Sequence, residues 1–418
     1  MGTRVFRNTA LALAPADQPQ NLPGAVRKLG GSVDLPLLLI MLAMLTFGLI
    51  MVFSASPDFS LSHHGDPWHI FSRQGLWVIL GVLVAYFLSR VNYHHWRSLI
   101  LPIMLMTLGL LAAVLLVGDE RFGSIRGLIA GSIQPSELAK VVTVIYLSVW
   151  LHSKREQFHD ITWGLLPMAV ILGMIGGLIY LQPDISATAT IFLLGGLLFF
   201  LAGGDLRQIL FLFAVALVVG VLVVQLSPTG RERMGSYVTG IQDPLQASYH
   251  VRRSLEAIVK GGWFGVGIGR ADTKLLGLPL ATTDSIFAVI AEELGILGAL
   301  GTILLYGGIV WRGLRIAAKA PDLLGNLLAT GLTFWIATEA AINILVMVGL
   351  MPFAGNALPF ISAGGSSMTV SLMGIGILLN VSRQQKPETT QSKRREYGAV
   401  LDLRGRNRRR SISRLGRS

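Results

Sequence analysis

Charged side chains inside long apolar stretches are the residues of this sequence that could do chemistry. Asp284 opens one apolar stretch in the run TTDSIF, and Glu292 and Glu293 follow two turns deeper. Glu137 and Lys140 stand three residues apart at the start of another stretch, in the run QPSELAK. An ionisable group at membrane depth is costly, so each of these residues is a candidate functional residue. Carboxylates can accept protons and cations can bind anionic groups, which is the chemistry needed to act on a polar substrate.

Each of these residues also has a structural interpretation. Glu137 follows Pro and Ser at a helix start, where a carboxylate meets the positive end of the helix dipole and can pair with Lys140 at i,i+3. Asp184, in the short turn QPD, and Asp284 can cap the helices that follow them. The adjacent glutamates at 292–293 need partners, and Lys140 or arginines of an outer loop are available. Both interpretations stay open from these residues alone.

Two further polar features lie late in the chain. Glu339 and Asn343 are spaced i,i+4 on one helix face, which in membranes indicates hydrogen bonding between helices. The segment 351–367 is rich in Pro, Gly and Ser and joins two apolar stretches. Non-helical backbone near a membrane is tolerated where it is buried in protein or lines a watery cavity. We therefore expect this segment to form part of a groove wall.

Membrane-spanning helices must position these residues. The chain has 418 residues, 52% of them apolar and 14% charged, and a mean hydropathy of +0.61. An ordinary soluble domain is about 25% charged, so a water-soluble globular protein is excluded. A bilayer core requires about 20 apolar residues per helix, and ten stretches approach this length: 34–54, 74–90, 97–117, 136–153, 163–181, 185–201, 209–226, 284–310, 325–350 and 366–382. The sequence predicts an all-α polytopic membrane protein with about ten transmembrane helices.

The two ends of the chain are polar. Residues 1–33 form a proline-containing arm that we predict to be disordered, 34–382 form the membrane domain, and 383–418 form a basic tail. Placing both ends in the cytoplasm puts 24 of the 35 Lys and Arg on that side, as the positive-inside rule requires. The tail supplies most of the net charge of +12, so the high pI does not indicate a nucleic-acid-binding core. Its Arg run at 404–410 fits either binding to anionic lipids or a solvated topology anchor.

The longest outer connection, at about 227–283, lies between the seventh and eighth predicted helices. It contains a glycine cluster, GGWFGVGIG, at 261–269. A nucleotide-binding P-loop would need GxxxxGK[ST] after a strand, and neither is present. We interpret the cluster as tight backbone packing against the membrane. The absence of cysteine also excludes disulfides, thiolate metal sites and cysteine nucleophiles.

Three segments in this order resemble the SEDS family (shape, elongation, division and sporulation) of FtsW/RodA-type peptidoglycan glycosyltransferases. They are 134–140 (QPSELAK), 283–295 (TDSIFAVIAEELG) and 358–367 (LPFISAGGSS). The resemblance covers 34–382 and leaves out both tails. The length of the two tails favours the division (FtsW) branch over the elongation (RodA) branch.

The resemblance implies polymerisation of lipid II, a disaccharide-pentapeptide on an undecaprenyl diphosphate carrier, into glycan strands on the outer face of the cytoplasmic membrane. Asp284 matches the family's essential loop aspartate, which makes it the candidate general base, or the residue that positions the base, in an inverting glycosyl transfer. The remaining candidates are substrate contacts: Lys140, Glu137, Arg126, Asp184, Arg231, Arg233, Arg252, Arg253, Ser362 and Ser366. The chemistry is compatible with a divalent cation, Mg²⁺ or Mn²⁺, and requires no organic cofactor.

The chain departs from the family pattern near several of these residues. The usual His and Glu before Asp284 are Thr282 and Leu280, the usual Trp after Arg126 is Gly127, the usual Gln of the ninth helix is Glu339, and the usual Tyr of the last segment is Ala363. These substitutions bear on substrate detail and on catalytic competence. The retained Asp284 favours an active polymerase.

The resemblance also implies partners, and other functions stay open. The expected partner is a class B penicillin-binding protein that crosslinks the new strands, together with other divisome or elongasome membrane proteins. A lipid II flippase would need polar residues through the full membrane depth, whereas here the polar residues are predicted to lie at the outer ends of the transmembrane helices. A secondary transporter would show an inverted repeat with broken helices, and none is visible. A non-catalytic scaffold that activates a penicillin-binding protein is the remaining alternative.

Overall fold

The computed structural model describes residues 33–117, 119–121, 124–127, 134–154 and 164–385. Within these ranges the chain forms thirteen α-helices and one antiparallel two-stranded hairpin: α1 (Leu35–Ala55), α2 (Pro57–His64), α3 (His69–Arg90), α4 (Trp96–Val117), β1 (Asp119–Arg121), β2 (Ser124–Gly127), α5 (Pro135–Ser153), α6 (Leu166–Tyr180), α7 (Ile185–Leu201), α8 (Leu206–Leu226), α9 (Pro228–Gln242), α10 (Tyr249–Gly261), α11 (Ile286–Ala318), α12 (Leu323–Met347) and α13 (Gly365–Arg383). The predicted disordered arm and the Arg run of the tail lie outside the described residues.

Each of the ten predicted spans coincides with a helix. Seven helices of the described part are long and apolar enough to cross a membrane: α1, α3, α4, α8, α11, α12 and α13. The helices α6 and α7 are apolar but have only 15 and 17 residues. The predicted all-α polytopic membrane class is therefore confirmed, and the number of ten crossings stays a prediction.

The helices α12 and α13 form the centre of the bundle. Inside the protein, 61% and 72% of their apolar stretches are buried, compared with 6% for α8. Helix α13 lies along α3, where a Cβ at Gly376 would overlap the backbone of Ala85. Helix α12 packs against α5, α7 and α11. Of the predicted site carboxylates, Glu137 lies in α5, and Asp184 and Asp284 lie just before α7 and α11.

The connection at 227–283, which we predict to be on the outer side, is structured, because it contains α9 and α10. Its glycine cluster packs tightly, as predicted. The packing of the cluster against the membrane stays a prediction, and the backbone that it packs against is that of α11. Gly295, with φ 69° and ψ −168°, interrupts α11 at this point. The N–H of Val266 donates to the Glu292 carbonyl (3.0 Å), and the N–H of Ile296 donates to the Gly262 carbonyl (2.9 Å). The cluster thus supplies partners for backbone groups that the interruption leaves without helical ones.

Candidate active site

Lys140 lies between two carboxylates near the start of α5. Its Nζ is 2.8 Å from Glu137 Oε1 and 2.8 Å from Glu339 Oε1 on α12. The side chain of Lys140 is 2% exposed, so the charge is compensated within the protein and not by water. The predicted i,i+3 pair is confirmed, and Glu339 is a second partner.

Asp184 joins the starts of α5 and α7. Its Oδ1 accepts a hydrogen bond from the Ala187 N–H at 3.2 Å, which confirms the capping interpretation. Its Oδ2 accepts from Gln134 Nε2 at 3.3 Å and from Ser136 Oγ at 3.4 Å. The backbone N–H of Gln134 in turn donates to Ser366 Oγ at 3.1 Å. The QPSELAK run is therefore in contact with both Asp184 and the last motif segment.

Asp284 precedes the start of α11 without capping it. The helix begins at Ile286 and its N-cap residue is Ser285, so the capping interpretation of Asp284 is wrong. The residue is half-buried. Its backbone carbonyl accepts a hydrogen bond from Asn343 Nδ2 of α12 at 2.7 Å.

A continuous chain of contacts joins Asp284 to Lys140. Asn343 Nδ2 also donates to the Asn356 carbonyl at 2.6 Å, and Asn356 Nδ2 donates to Glu339 Oε2 at 2.8 Å. The other oxygen of Glu339 pairs with Lys140. Glu339 and Asn343 thus connect α12 to its neighbours, as their spacing predicts.

The segment before Asp284 is held by the last motif. The Ser362 hydroxyl donates to the Thr283 carbonyl at 2.6 Å and accepts from the Leu358 N–H at 2.7 Å. The N–H of Ala363 donates to the Thr282 carbonyl at 2.8 Å. Ser362, which is 3% exposed, therefore uses its hydroxyl inside the protein.

The adjacent glutamates of α11 form a second polar group. Glu293 accepts from Ser54 Oγ at 2.6 Å and pairs with Lys274 Nζ at 2.8 Å. Glu292 accepts from the backbone N–H of Thr273 at 3.3 Å and from its hydroxyl. The prediction that Lys140 or outer-loop arginines pair with these glutamates is wrong, because the segment that packs on the interruption of α11 brings Lys274 to Glu293 and Thr273 to Glu292.

A cavity of about 580 Å³ lies between α2, the start of α3 and the segment that leads to Asp284. Four ionisable residues are among those that line it: Asp58, His64, Arg73 and Lys274. Residues 277–283 and 363–365 also line it, so the expectation that the 351–367 segment contributes to a groove wall is confirmed. None of the predicted site residues whose side chains are described lines the cavity. Thr283 does line it, and Asp284 is the next residue in the chain.

Three of the predicted arginines lie against aromatic rings, and a fourth is exposed. Arg231 is exposed on α9, and the Arg233 guanidinium lies 5.7 Å from the centre of the Phe353 ring. On α10, the guanidinium groups of Arg252 and Arg253 lie 5.6 and 5.5 Å from the centre of the Tyr249 ring. The backbone of Arg126 belongs to β2, and its side chain lies outside the described residues.

Several residues of the site are not identified by sequence reasoning. Gln74 donates to the Ser362 carbonyl at 3.2 Å and accepts from the Gly364 N–H at 3.2 Å. Gln74 and Asn356 are amides among apolar residues, a signal that indicates buried hydrogen bonding. Lys274 is only one of several loop cations in the sequence, and Ser54 is an unremarkable small residue at a helix end. Only the folded chain identifies these last two.

Among the residues that the structure describes, no group of three or more His, Asp and Glu side chains is arranged to hold a metal ion. The carboxylates of Glu137 and Glu339 are compensated by Lys140, and Asp184 accepts from amide and hydroxyl donors. These three carboxylates therefore already have donors within the protein. The predicted Mg²⁺ or Mn²⁺ stays a prediction.

The chain is similar to known proteins over most of its length. Residues 35–387 match the family model FtsW/RodA/SpoVE, described as cell cycle protein. Stage V sporulation protein E of Bacillus subtilis is 38% identical over 359 residues, which are 85% of this chain and 98% of that protein. A probable peptidoglycan glycosyltransferase FtsW of Trichlorobacter lovleyi is 36% identical, over 84% of this chain and 93% of that protein.

Two solved structures share the fold. One is a chain of a peptidoglycan synthase complex described for its coordination of polymerization and crosslinking, with a TM-score of 0.70, 29% identity, and coverage of 85% of this chain and 99% of that chain. The rod shape determining protein RodA of Thermus thermophilus gives a TM-score of 0.63 at 27% identity, with the same coverage. The chain therefore belongs to the FtsW/RodA/SpoVE family of cell cycle proteins, the SEDS family that its motifs resemble.

Proposed function

We propose that this membrane protein is a peptidoglycan glycosyltransferase that polymerises lipid II in cell division or elongation. The observation that carries the proposal is the connection of Asp284 to Lys140 through Asn343, Asn356 and Glu339, beside a cavity of about 580 Å³. Relatives that carry the name peptidoglycan glycosyltransferase support the same activity.

In the proposed reaction, a sugar hydroxyl of one substrate attacks the anomeric carbon of the other. The new bond joins the hydroxyl oxygen to that carbon, and the bond from the carbon to the diphosphate oxygen breaks with its electron pair leaving on the diphosphate. The Asp284 carboxylate takes the hydroxyl proton. Attack from the face opposite the leaving group inverts the configuration of the carbon.

The cations of the cavity are suited to an anionic leaving group. Arg73 and Lys274 both line the cavity, and a guanidinium can bind a phosphate group in a bidentate manner. Lys140 is buried between two carboxylates, so we assign it to holding α5 against α12 at the site. Lys274 is likewise paired with the buried Glu293, so we assign the diphosphate contact to Arg73, which is exposed at the cavity. This assignment adds Arg73 to the predicted substrate cations Arg231, Arg233 and Arg252.

We propose that the site faces the outside of the cytoplasmic membrane and that both termini are cytoplasmic. The distribution of Lys and Arg supports this orientation. We also propose a class B penicillin-binding protein as the partner, because one of the structures with the same fold belongs to a complex that coordinates polymerization and crosslinking. Copurification of such a protein with the tagged full chain tests the partner.

Polymerisation of lipid II by the purified protein with its copurified partner tests the function. We expect long glycan products from wild type and none from Asp284→Asn. Asp272→Asn is the matched control, because Asp272 is exposed in the same outer connection. A folded complex that binds lipid II but yields no product with any variant would contradict the enzyme proposal and favour a scaffold.

A further inference from the structure

Three consecutive backbone carbonyls immediately before α11 are each held by a different donor. The donors are Ala363 N–H on Thr282 (2.8 Å), Ser362 Oγ on Thr283 (2.6 Å) and Asn343 Nδ2 on Asp284 (2.7 Å). We name these three hydrogen bonds the carbonyl clamp. Both side-chain donors are buried, with Asn343 at 0% and Ser362 at 3% exposure. Carbonyls of a connecting segment usually face water, so a threefold restraint from two other elements is unusual.

Strained backbone lies on both sides of the carbonyl clamp. Leu280 has a φ of 50° and Phe360 a φ of 67°, which are left-handed conformations that residues with a side chain rarely adopt. The Leu280 carbonyl accepts from the N–H groups of Thr283 (3.0 Å) and Ser285 (3.2 Å), which closes a tight turn around Asp284. Such strain persists only where the surroundings fix the backbone, and it concentrates at functional sites.

The carbonyl clamp is also tied to the buried cation. Asn343 has two N–H groups on its amide, and one amide nitrogen contacts both the Asp284 and the Asn356 carbonyls. Asn356 continues to Glu339, which pairs with Lys140. The position of the Asp284 backbone is therefore linked to the packing of α5 on α12.

We infer that Asn343 and Ser362 are positioning residues for Asp284. Their hydrogen bonds fix the backbone that carries the carboxylate, and Glu339 and Asn356 hold that backbone relative to Lys140. The inference rests on the proposed function and adds residues to it that act through Asp284. A misplacement of about 1 Å can lower a rate about 100-fold, so the hydrogen bonds can matter without touching substrate.

The first test compares Ser362→Ala and Asn343→Ala with wild type in the polymerisation assay. We expect kcat to fall about tenfold or more, with KM unchanged within a factor of about two, because neither side chain contacts substrate. Ser362→Thr keeps the hydroxyl and is expected to retain most of kcat. Ser148→Ala is the matched control, since Ser148 is a buried serine that donates to the Val144 carbonyl at 2.7 Å within α5. An unchanged kcat in both alanine variants, or a rise in KM alone, would overturn the inference.

The second test does not require activity. Hydrogen–deuterium exchange of the full complex is measured on peptides that cover 280–286 and 354–364. We expect Asn343→Ala to increase exchange in both peptides and Ser148→Ala to change neither. Unchanged exchange would mean that Asn343 does not restrain this backbone, and the inference would fail even if activity fell.

The third test reverses one hydrogen bond. Glu339→Gln removes a charge, and Asn356→Asp places two carboxylates face to face, so each single variant is expected to lower kcat. In the double variant Glu339→Gln/Asn356→Asp the new amide donates to the new carboxylate, which restores the hydrogen bond at the same net charge. We expect kcat to recover at least about threefold over the worse single variant, and no recovery would contradict a role for the hydrogen bond between residues 356 and 339 in positioning Asp284. Loss of all product in wild type would instead refute the proposed function, which separates the two failures.

Discussion

The aspartates that precede the helices of this protein have two different roles. Asp34, Asp184 and Asp322 each accept a hydrogen bond from a backbone N–H three residues later, at 3.0, 3.2 and 2.8 Å, and so cap their helices. Asp284 leaves this position to Ser285 and has its own carbonyl held instead. A carboxylate that caps a helix is committed to structure. The difference teaches that the aspartate proposed as the base is distinguished by what fixes its backbone, since its sequence context resembles that of a cap.

Asp322 is the clearest structural case. Its carboxylate accepts from the Gly325 N–H, from the Tyr93 hydroxyl at 2.8 Å and from the His94 ring at 2.7 Å. Burial alone would raise the pKa of Asp322, but these three hydrogen bonds lower it to about 2. The group therefore stays ionised at neutral pH and ties the α3–α4 connection to the start of α12.

The largest effect is expected when the two aspartates are each replaced by asparagine. Asp284→Asn removes the proposed base and is expected to lower polymerisation about 10²–10⁴-fold, the usual contribution of general base catalysis. Its melting temperature in detergent should stay within a few degrees of wild type. Asp322→Asn should polymerise at nearly the wild-type rate. Equal loss of activity in both variants would break the comparison.

The next effect concerns a carboxylate that has no role as a cap. Lys274→Met leaves Glu293, which is 0% exposed, without its cation. Breaking a buried ion pair costs about 3–5 kcal/mol, so we expect a large loss of stability in a denaturant titration. Lys260→Met is the control, because Lys260 pairs with Glu256 at 3.3 Å on the exposed face of α10. Similar stability of the two variants would show that burial does not set the strength of these pairs.

A moderate effect is expected for the cap of α12. Asp322→Ala removes the cap, and the loss of such a residue costs about 1–2 kcal/mol. The folded pKa of Asp322 is about 2, below the value of about 3.9 for an unfolded chain, so its contribution to stability is present above pH ~4 and is lost as the pH falls towards 2. Melting temperatures measured between pH 6 and pH 3 should fall more steeply for wild type than for Asp322→Ala. Parallel curves would contradict the assigned role.

The smallest effect is expected at His250. Its ring stacks on Phe353 at 4.2 Å, and burial together with the charge of Arg233 holds the pKa of His250 below its usual value. Because the pKa of His250 is lowered in the folded protein, its contribution to stability is present above pH ~6.5 and is lost as the pH falls below that value. His250→Phe should remove this part of the pH dependence. The melting temperature between pH 7 and pH 5 checks this, and an unaltered slope in the variant would count against it.

The sequence predicts the local contacts of the site better than the distant ones. The Glu137–Lys140 pair and the Asp184 cap follow from spacing within one helix or one turn, and both are present. Ten helices and the structured outer connection follow from apolar length and composition. These features depend only on residues that are close in the chain.

The distant contacts depend on how segments fold back on one another. The run AEELG has the pattern of a continuing helix, yet Gly295 interrupts α11 and brings Lys274 to Glu293. Nothing in the spacing of Asn343 specifies that its partner is the carbonyl of Asp284, because that contact requires α12 and the start of α11 to meet. Helical periodicity indicates which face is buried but not which backbone it meets.

The interruption at Gly295 also divides α11 into two parts that differ in length. The part after it, Ile296 to Ala318, has 23 residues and a length of about 35 Å, which exceeds the roughly 30 Å of a bilayer core. This part alone can therefore anchor the helix in lipid. The nine residues from 286 to 294 are then not needed to cross the bilayer, and in the orientation we propose they hold Asp284 away from its apolar core.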